Sequence, residues 1–266
     1  MDPQGKVIVV TGAARGIGAA LARRFVQAGA KSVVISDLVQ AEVDATAKEI
    51  GAHSAFQVDV ADERQIVKLI EETESRHGPI DLFCSNAGIS VEGSLTASNE
   101  TWQKIWEINS MSHVYAARAI VPKMIQRGGG YLLNTVSAAG LLTQLGSAPY
   151  AVTKHAAMAF AEWLAMTDQR DGIKVSALCP QGVRTRMLDS VSGGAAEMLK
   201  ATSISPEQVA ECVIEGLTAE RFLILPHPEV GTYFQNKAND YERWLKGMRK
   251  MWDQFAPPGS DWERPG

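Results

Sequence analysis

The chain has 266 residues, of which 45% are hydrophobic, 21% charged and 7% aromatic. These proportions are typical of globular proteins and exclude collagen, a coiled coil and intrinsic disorder. The 26 basic and 30 acidic residues give a formal net charge of −4, so the chain lacks the basic excess with which proteins bind nucleic-acid backbones. We therefore expect no nucleic-acid partner.

The sequence also argues against membrane and metal functions. No apolar run approaches the roughly 18 residues that cross a bilayer, and Val7–Val10 is far shorter than the apolar core of an export signal. We expect no membrane partner and a cytoplasmic location. Cys84, Cys179 and Cys212 are too scattered for a disulfide framework. Because no cysteine–histidine cluster has metal-ligand spacing, we expect no metal site.

Short apolar runs rich in β-branched residues alternate with longer segments of helical period. The predicted strands are Lys6–Val10, Ser32–Ser36, Ala55–Val58, Ile80–Ser85, Tyr131–Val136, Val175–Cys179 and Phe222–Leu225. The predicted helices are Ile17–Ala28, Gln40–Ile50, Asp62–His77, about Glu100–Arg127, Tyr150–Gln169 and Pro206–Leu217. Because the strands are apolar throughout, both faces of the sheet must be covered. The pattern predicts one α/β domain over residues 1–266, a Rossmann-like doubly wound parallel sheet of about seven strands with helices on both faces.

Two segments depart from this alternation. The first, 186–205, contains the pair Gly193-Gly194, which permits hinge motion, so the segment is either a substrate lid or a loose surface connection. The second is a C-terminal helical extension over 235–266, in which Asn236–Phe255 has a helical period. Its apolar residues recur at spacings of three and four and should pack against the body or a partner subunit. They are Tyr241, Trp244, Leu245, Met248, Met251 and Trp252.

A glycine-rich turn, Thr11–Gly18, lies between the first predicted strand and the first predicted helix. Glycines there allow a tight turn and a close approach of the backbone to a pyrophosphate. The helix N-terminus adds free amides and the positive end of the helix dipole. This placement in a βαβ unit predicts a dinucleotide-binding site. The residues concerned are Gly12, Arg15, Gly16, Ile17 and Gly18.

Two acids close neighbouring predicted strands. Asp37 lies about 20 residues after Gly18, where a carboxylate can accept hydrogen bonds from the adenosine ribose; capping the next helix is the alternative. Asp59, followed by Val60, either reaches the adenine amine or caps a helix. We predict NAD rather than NADP, because a carboxylate 4 Å from a phosphate costs about 4 kcal/mol per pair of unit charges at an effective dielectric constant of 20. An exposed pair with Arg15 would return about 1 kcal/mol or less.

A candidate acid–base group lies further along the chain. Tyr150 and Lys154 are one helical turn apart at the start of a predicted helix. An adjacent ammonium stabilises a phenolate and lowers the tyrosine pKa from its usual value of about 10, although an ordinary surface pair is the alternative. Ser137 follows the fifth predicted strand, and ligands of open α/β sheets bind beyond the carboxyl ends of the strands. The three side chains should therefore share one crevice.

Together these motifs resemble the short-chain dehydrogenase/reductase family over about Lys6 to Leu225. The matching segments are Thr11–Gly18 for the cofactor loop, Asn86–Gly88 for the sheet-stabilising Asn-Ala-Gly, Asn109, Ser137, Tyr150 and Lys154 for the catalytic tetrad, and Pro180–Thr185 for the segment beside the nicotinamide. Within them the resemblance assigns further cofactor contacts to Asn86, Ala87, Gly88, Pro180, Gly182, Val183 and Thr185. Gln181 departs from the family pattern, which usually has glycine there.

The resemblance implies an NAD-dependent oxidoreductase that interconverts a hydrophobic secondary alcohol and its ketone. Tyr150 would exchange the hydroxyl proton while hydride moves between the carbon and the nicotinamide, and Ser137 would bind the substrate oxygen. Lys154 would bind the nicotinamide ribose and lower the tyrosine pKa. Asn109 would hold a water that relays protons from Lys154 to solvent, and Thr185 would bind the cofactor carboxamide.

The substrate and the assembly are less closely specified. The segments 138–142, 144–146 and 187–188 are largely apolar, which favours a small hydrophobic alcohol or ketone over a phosphorylated substrate. Arg184 and Arg186 either bind a carboxylate or are solvated. The resemblance also implies a homotetramer assembled through the two long predicted helices. Three tryptophans on those helices fit this packing or core burial equally well, namely Trp102, Trp106 and Trp163.

Other functions are also compatible with this fold. A regulatory or interaction protein that binds a nucleotide without turnover would use the same fold, but no member of the tetrad is missing. Enoyl reductases of the family space their tyrosine and lysine more widely, and sugar epimerases carry a larger C-terminal substrate region. The sequence therefore favours alcohol–ketone chemistry.

Overall fold

The computed structural model describes residues 1–91, 93–189 and 199–255. Seven parallel strands form one sheet: β1 (Val7–Thr11), β2 (Ser32–Asp37), β3 (Ser54–Gln57), β4 (Leu82–Ser85), β5 (Gly130–Thr135), β6 (Ile173–Leu178) and β7 (Leu223–Ile224). The helices are α1 (Gly16–Gln27), α2 (Gln40–Ile50), α3 (Glu63–His77), α4 (Asn99–Trp106), α5 (Ser112–Gln126), α6 (Ala139–Leu142), α7 (Ala148–Thr167), α8 (Arg186–Asp189), α9 (Pro206–Thr218), α10 (Glu229–Asn239) and α11 (Tyr241–Phe255). The predicted α/β fold with a parallel sheet is confirmed.

The core lies in two layers, one on each face of the sheet. Along β1, Val7 and Val9 belong to one layer, whereas Ile8 and Val10 belong to the other. Helices α3, α5 and α7 cover the first face, and α1, α2 and α9 cover the second. This double coverage is why apolar residues occupy successive positions of the strands rather than alternate ones.

The strand order is β3-β2-β1-β4-β5-β6-β7. Strands β2 and β3 therefore lie on one side of β1, and β4 to β7 lie on the other, so the order changes direction between β1 and β4. The connections that leave these two strands diverge to opposite faces of the sheet. A crevice therefore opens at their carboxyl ends, which is where ligands of open α/β sheets bind.

The predicted long helix Glu100–Arg127 is interrupted. A π-helical turn, Glu107–Met111, separates α4 from α5, and it contains Asn109, one of the predicted tetrad residues. Single π turns are rare and occur frequently at functional sites. The apolar periodicity continues across the turn, which is why the sequence predicts one uninterrupted helix.

The predicted C-terminal helix Asn236–Phe255 is wrong as a single element. Helix α10 begins earlier, at Glu229, and the chain breaks at Asp240, which has the non-helical angles φ −149° and ψ 88°. The Asp240 carboxylate accepts a hydrogen bond from the Arg243 amide at 2.9 Å, as an N-cap residue does. Helix α11 therefore starts afresh at Tyr241. Residues 256–266 of the predicted extension, and 190–198 of the predicted lid with its glycine pair, lie outside the described residues.

The predicted apolar stripe of α11 is only partly buried. Trp244, Met248, Met251 and Trp252 have intermediate exposure, while Tyr241 and Leu245 are exposed. Within the described ranges, no helix combines the length and the apolar character that a membrane span requires.

Asn86, which follows β4, joins the carboxyl ends of three strands. Its Nδ2 donates to the carbonyls of Thr11 at 3.0 Å and Gly12 at 3.2 Å. Its Oδ1 accepts a hydrogen bond from Thr135 Oγ1 at 3.1 Å. The side chain therefore bridges the ends of β1, β4 and β5 directly beneath the crevice.

Replacing Asn86 by alanine should destabilise the fold. Loss of the carboxamide leaves the carbonyls of Thr11 and Gly12 and the Thr135 hydroxyl without this partner, which costs about 3 kcal/mol in the free energy of unfolding. Urea titration followed by circular dichroism measures this change. Asn99→Ala, at an exposed position, is the control and should change the free energy by less than about 0.5 kcal/mol. Equal losses in the two variants would contradict the bridging role.

Candidate active site

The predicted site residues converge on one cavity at the carboxyl ends of the strands. Its volume is about 1420 Å³, larger than the roughly 300–1,000 Å³ of a typical small-molecule pocket. Among the predicted cofactor-binding and catalytic residues, all except Asn109 line it. The space suits an extended ligand such as a dinucleotide with a second molecule beside it.

The glycine-rich turn forms one end of the cavity. Gly12 has φ +64°, and a Cβ there would lie 2.6 Å from Ala87 Cα, so the turn packs directly on the Asn86–Gly88 segment. A Cβ at Gly18 would lie 2.6 Å from Asn86 Nδ2. The N-terminus of α1 has no side-chain cap. Its first amides are therefore available to an anionic group such as a pyrophosphate.

Asp37 lies at the end of β2 and lines this part of the cavity. Its Oδ2 accepts a hydrogen bond from the Ala14 amide at 2.9 Å, and its Oδ1 accepts one from the Leu38 amide at 2.8 Å. The N-cap of α2 is Val39, so the helix-capping alternative for Asp37 is wrong. The two amides fix the carboxylate at the cavity edge and leave further lone pairs for ribose hydroxyls.

Glu42 is a residue of this region that the sequence analysis missed. The Arg15 guanidinium donates to Glu42 Oε2 at 2.5 Å, and Arg186 Nη1 lies 4.0 Å from Glu42 Oε1. Both groups of the closer pair are about half exposed, so its contribution to stability is small. The pair nevertheless matters for the site, because it directs the Arg15 guanidinium of the glycine-rich turn toward the Glu42 carboxylate. In the sequence, the feature that could have predicted this contact is the acidic residue in the first turn of α2.

Asp59 stabilises a turn at the edge of the cavity. Its Oδ1 accepts a hydrogen bond from the Ala61 amide at 2.9 Å, whereas the N-cap of α3 is Asp62. Asp59 therefore does not cap that helix. Both Asp59 and the following Val60 line the cavity.

Ser137 follows β5 and is 9% exposed. Its Oγ donates to the Pro180 carbonyl at 3.5 Å and accepts a hydrogen bond from the Ala139 amide at 3.1 Å. The Ala138 amide also donates to the Pro180 carbonyl, at 2.8 Å. These bonds join the loops after β5 and β6, so the serine hydroxyl is held at a defined place in the cavity wall.

Tyr150 lies in the first turn of α7. The helix is capped by Ser147, whose Oγ accepts a hydrogen bond from the Tyr150 amide at 3.2 Å. Burial raises the pKa of Tyr150 above its usual value, and a hydrogen bond with the Ser137 side chain offsets part of that increase. The net shift of the Tyr150 pKa is therefore upward, and the lowering by Lys154 stays a prediction. Lys154 Nζ lies 5.8 Å from the centre of the tyrosine ring.

Lys154 is 3% exposed, and its Nζ donates to the Thr135 carbonyl at 3.0 Å. Burial lowers the pKa of Lys154 to about 8. A Cβ at Gly88 would lie 3.5 Å from Lys154 Nζ and 3.3 Å from Asn109 Oδ1. The absence of a side chain at Gly88 thus leaves room between these two polar groups.

Asn109 lies behind the cavity wall and is fully buried. Its Oδ1 accepts a hydrogen bond from the Ile89 amide and its Nδ2 donates to the Ile89 carbonyl, both at 2.9 Å. Nδ2 also lies 3.4 Å from Thr153 Oγ1. One turn later, His113 is buried, and burial together with the charge of Lys154 lowers its pKa to about 3. His113 is therefore neutral at pH 7 and leaves Lys154 as the cation of this region.

The loop after β6 closes the site. Thr185 Cγ2 lies 3.2 Å from the position of a Cβ on Gly16, so this loop approaches the glycine-rich turn. Gln181, at the position where the family pattern has glycine, lines the cavity, and its amide donates to His227 Nδ1 at 3.2 Å. His227 is buried, and burial lowers its pKa, which favours the neutral acceptor form. This hydrogen bond comes from the backbone of Gln181, so it fixes the loop whichever side chain stands at this position.

The rest of the cavity is mainly apolar. The residues that line it come from the segments after β4, β5 and β6 and from α10 and α11, and the two C-terminal helices also contribute polar side chains, among them Glu229, Asn236 and Arg243. The apolar lining residues include Ile89, Leu142, Leu145, Met187, Leu188, Trp244, Met248 and Met251. The part of the cavity that extends from Ser137 and Tyr150 therefore suits an apolar molecule.

Comparison with known proteins agrees with this geometry. A family model described as short chain dehydrogenase matches residues 6–195. The chain is 31% identical to 1-deoxy-11-beta-hydroxypentalenate dehydrogenase of Streptomyces avermitilis, over 100% of both chains. A short-chain dehydrogenase/reductase of Burkholderia phymatum in complex with NAD superposes with a TM-score of 0.83 at 26% identity, over 91% of this chain and 96% of that one.

A second solved structure shows the same fold around a larger ligand. It is a 7α-hydroxysteroid dehydrogenase complexed with NADH and 7-oxo glycochenodeoxycholic acid, with a TM-score of 0.78 and 25% identity over 84% of this chain and 93% of that one. The family match covers most of the chain and contains its glycine-rich turn, its Asn-Ala-Gly segment and all four tetrad positions. The chain therefore belongs to the short-chain dehydrogenase/reductase family and is an oxidoreductase.

Proposed function

We propose that the protein is an NAD-dependent dehydrogenase that interconverts a hydrophobic secondary alcohol and its ketone, with Tyr150 as the acid–base group. The observation that carries this proposal is the placement of Ser137, Tyr150 and Lys154 on the wall of the cavity that the glycine-rich turn also lines. A nucleotide-binding protein without turnover would not need a phenol and a serine hydroxyl beside each other at the boundary between polar and apolar lining.

The cavity lining fits a dinucleotide. The uncapped amides of α1 would bind the pyrophosphate, the Asp37 carboxylate would accept hydrogen bonds from ribose hydroxyls, and Thr185 would bind the carboxamide. Lys154 would hold the second ribose. When bound there, NAD supplies the acceptor or donor of hydride.

The protein groups then handle the proton. The Ser137 hydroxyl holds the substrate oxygen beside Tyr150 Oη, which takes the hydroxyl proton during oxidation and returns it during reduction. Lys154 Nζ lies near the phenol, and burial lowers the pKa of Lys154 to about 8. Near neutral pH it can therefore take up the proton that Tyr150 releases or supply one to Tyr150. Asn109 Oδ1, across Gly88 from Lys154, would hold the water that continues this path. The fixed side chains contribute mainly by orienting the reacting groups.

Tyr150→Phe should abolish most of the turnover and leave cofactor affinity nearly unchanged. Only the proton-transferring hydroxyl is removed, so kcat for alcohol oxidation should fall by about 10²–10⁴-fold. The measurement is NADH formation at 340 nm, with the NADH Kd taken from fluorescence. Tyr115→Phe is the control, since Tyr115 donates to Glu107 outside the cavity lining. A kcat for Tyr150→Phe above a tenth of the original would overturn the assignment.

The two directions should respond oppositely to pH. Because burial raises the pKa of Tyr150, its basic form is a minority at pH 7 and increases as the pH rises. Oxidation, which needs that form, should accelerate by up to about tenfold per pH unit from about pH 7, and ketone reduction, which needs the protonated form, should slow at high pH. Initial rates at saturating substrate in both directions test this. A flat oxidation profile up to about pH 10 would contradict a buried phenol as the base.

The charges around the adenosine ribose position favour NAD over NADP. Asp37 is fixed by two amides, and Arg15, the cation that would favour a 2′-phosphate, is paired with Glu42. A 2′-phosphate would therefore lie near two carboxylates, of which Glu42 is paired with Arg15 and Asp37 has no paired cation among the residues that the structure describes. The repulsion from Asp37, about 4 kcal/mol, corresponds to a preference for NAD of about a thousandfold.

Glu42→Gln should release Arg15 and raise kcat/KM for NADP about five- to tenfold, as expected for an exposed ion pair. Asp37→Ser should raise it more. Asp44→Asn is the matched control, because it removes the same charge from an exposed position of α2 outside the cavity lining. Comparable kcat/KM values for NAD and NADP in the unmodified protein would show that Arg15 offsets Asp37 despite its pairing.

We also propose a homotetramer, which the surface of α7 and α4 supports. Val152, Trp163 and Met166 on α7 and Trp106 on α4 are large apolar side chains exposed to solvent. Grouped exposed apolar residues typically mark an interface. The partner in this proposal is a second copy of the chain.

A further inference from the structure

Helix α11 forms one side of the apolar part of the cavity. Trp244, Met248 and Met251 line the cavity that Ser137 and Tyr150 also line. Their spacing places them on one face of the helix. A flat indole ring and two flexible thioethers offer a large apolar surface that adapts to ligand shape. The helix therefore presents a wall suited to an apolar body.

This wall is attached to the rest of the protein through few elements. Among the described elements, α11 packs closely only against α10, and α10 packs against α6, the short helix that follows Ser137. The position of the wall relative to the reacting groups therefore depends on how these three helices are joined.

One buried side chain, Lys237, contacts all three helices. Lys237, on α10, is 8% exposed, and its Nζ donates to the Leu141 carbonyl of α6 at 2.8 Å. The same Nζ lies 4.9 Å from the ring centre of Trp244 and 5.6 Å from that of Tyr241, both on α11. Within the described residues no carboxylate pairs with this ammonium, and burial lowers the pKa of Lys237. The carbonyl and the two ring faces are its main compensation for lost hydration.

We propose that Lys237 is a positioning residue that holds α11 against the substrate site, and that this wall selects secondary alcohols with bulky apolar ring systems. The inference rests on the proposed function for its substrate class. A short alcohol is held by Ser137 and Tyr150 alone, whereas a larger apolar body also buries surface against Trp244, Met248 and Met251. Loosening the helix should therefore weaken binding of large substrates selectively.

The kinetic test compares Lys237→Met with the unmodified protein, using NAD and two probes, 2-butanol and the fused-ring alcohol decahydro-2-naphthol. For the fused-ring alcohol, KM should rise about tenfold with kcat within about twofold, because uniform binding energy is lost. For 2-butanol, KM should change less than about twofold, as should the NADH Kd. Lys237→Arg keeps a cation and donors and should restore most of the lost affinity. Lys246→Met, an exposed lysine of α11, is the matched control.

Hydrogen–deuterium exchange gives a readout that does not depend on turnover. Peptides covering 241–255 should exchange about tenfold faster in Lys237→Met than in the unmodified protein or in Lys246→Met, because local opening of α11 becomes easier. If Lys237→Met does not fold, Trp244→Ala carries both tests, because it removes the ring that lies nearest the ammonium. The KM for the fused-ring alcohol and the exchange rate of 241–255 should then both rise, and an unchanged exchange rate would overturn the positioning role.

The outcomes separate the two claims. Unchanged exchange of α11 in Lys237→Met, or an equal rise in KM for both alcohols, would overturn the positioning role. If the unmodified protein oxidised no alcohol, the proposed function would fail, and the exchange experiment would still decide whether Lys237 holds the helix.

Discussion

The site depends on close contact between two backbone turns at the carboxyl ends of β1 and β4. Gly12 packs on Ala87 with no room for a Cβ, and Asn86 holds both turns through hydrogen bonds to Thr11 and Gly12. This contact places the amides of α1 beside the segment that leads to Gly88, and Gly88 in turn separates Lys154 from Asn109. The proposed cofactor-binding and proton-transfer regions are therefore positioned by one piece of backbone packing rather than independently.

The electrostatics of the reacting groups come mainly from burial. Burial raises the pKa of Tyr150 and lowers that of Lys154, so both groups are shifted toward their neutral forms. At pH 7 the phenol is neutral, while the ammonium, with a pKa of about 8, is still mostly charged. A positive charge therefore lies near a neutral phenol, and it favours the phenolate once the proton has left.

Most parts of the site that the sequence predicted lie next to strand ends. Thr11–Gly18, Asp37 and Ser137 follow or end buried strands, and a parallel sheet brings all such ends to one edge. Tyr150 and Lys154 lie in α7 instead, and it is their spacing of one helical turn that predicts the pair. The apolar runs themselves reveal the fold because the two core layers make most positions of the central strands apolar.

The parts that the sequence did not predict depend on side-chain contacts between distant positions. Lys237 meets Leu141 across 96 residues, and His227 meets Gln181 across 46; neither residue type nor local spacing encodes such a meeting. The break at Asp240 was missed for a different reason, since the apolar spacing continues through it while a local cap ends the helix. Periodicity describes which side of a helix is apolar and not whether the helix is continuous.

The π turn between α4 and α5 has a consequence for how this region tolerates change. Asn109 and Ser110 are neighbours in sequence, and an ordinary helix would turn their side chains about 100° apart. In the wider turn both reach Thr153, through Asn109 Nδ2 at 3.4 Å and Ser110 Oγ at 3.1 Å. The turn thus absorbs one surplus residue, and the registers of α4 and α5 are set separately on either side of it. Deleting that residue would restore a regular helix and keep the buried faces of α4 and α5 in place, but it would turn Asn109 and Ser110 about 100° apart, so that they could no longer both reach Thr153.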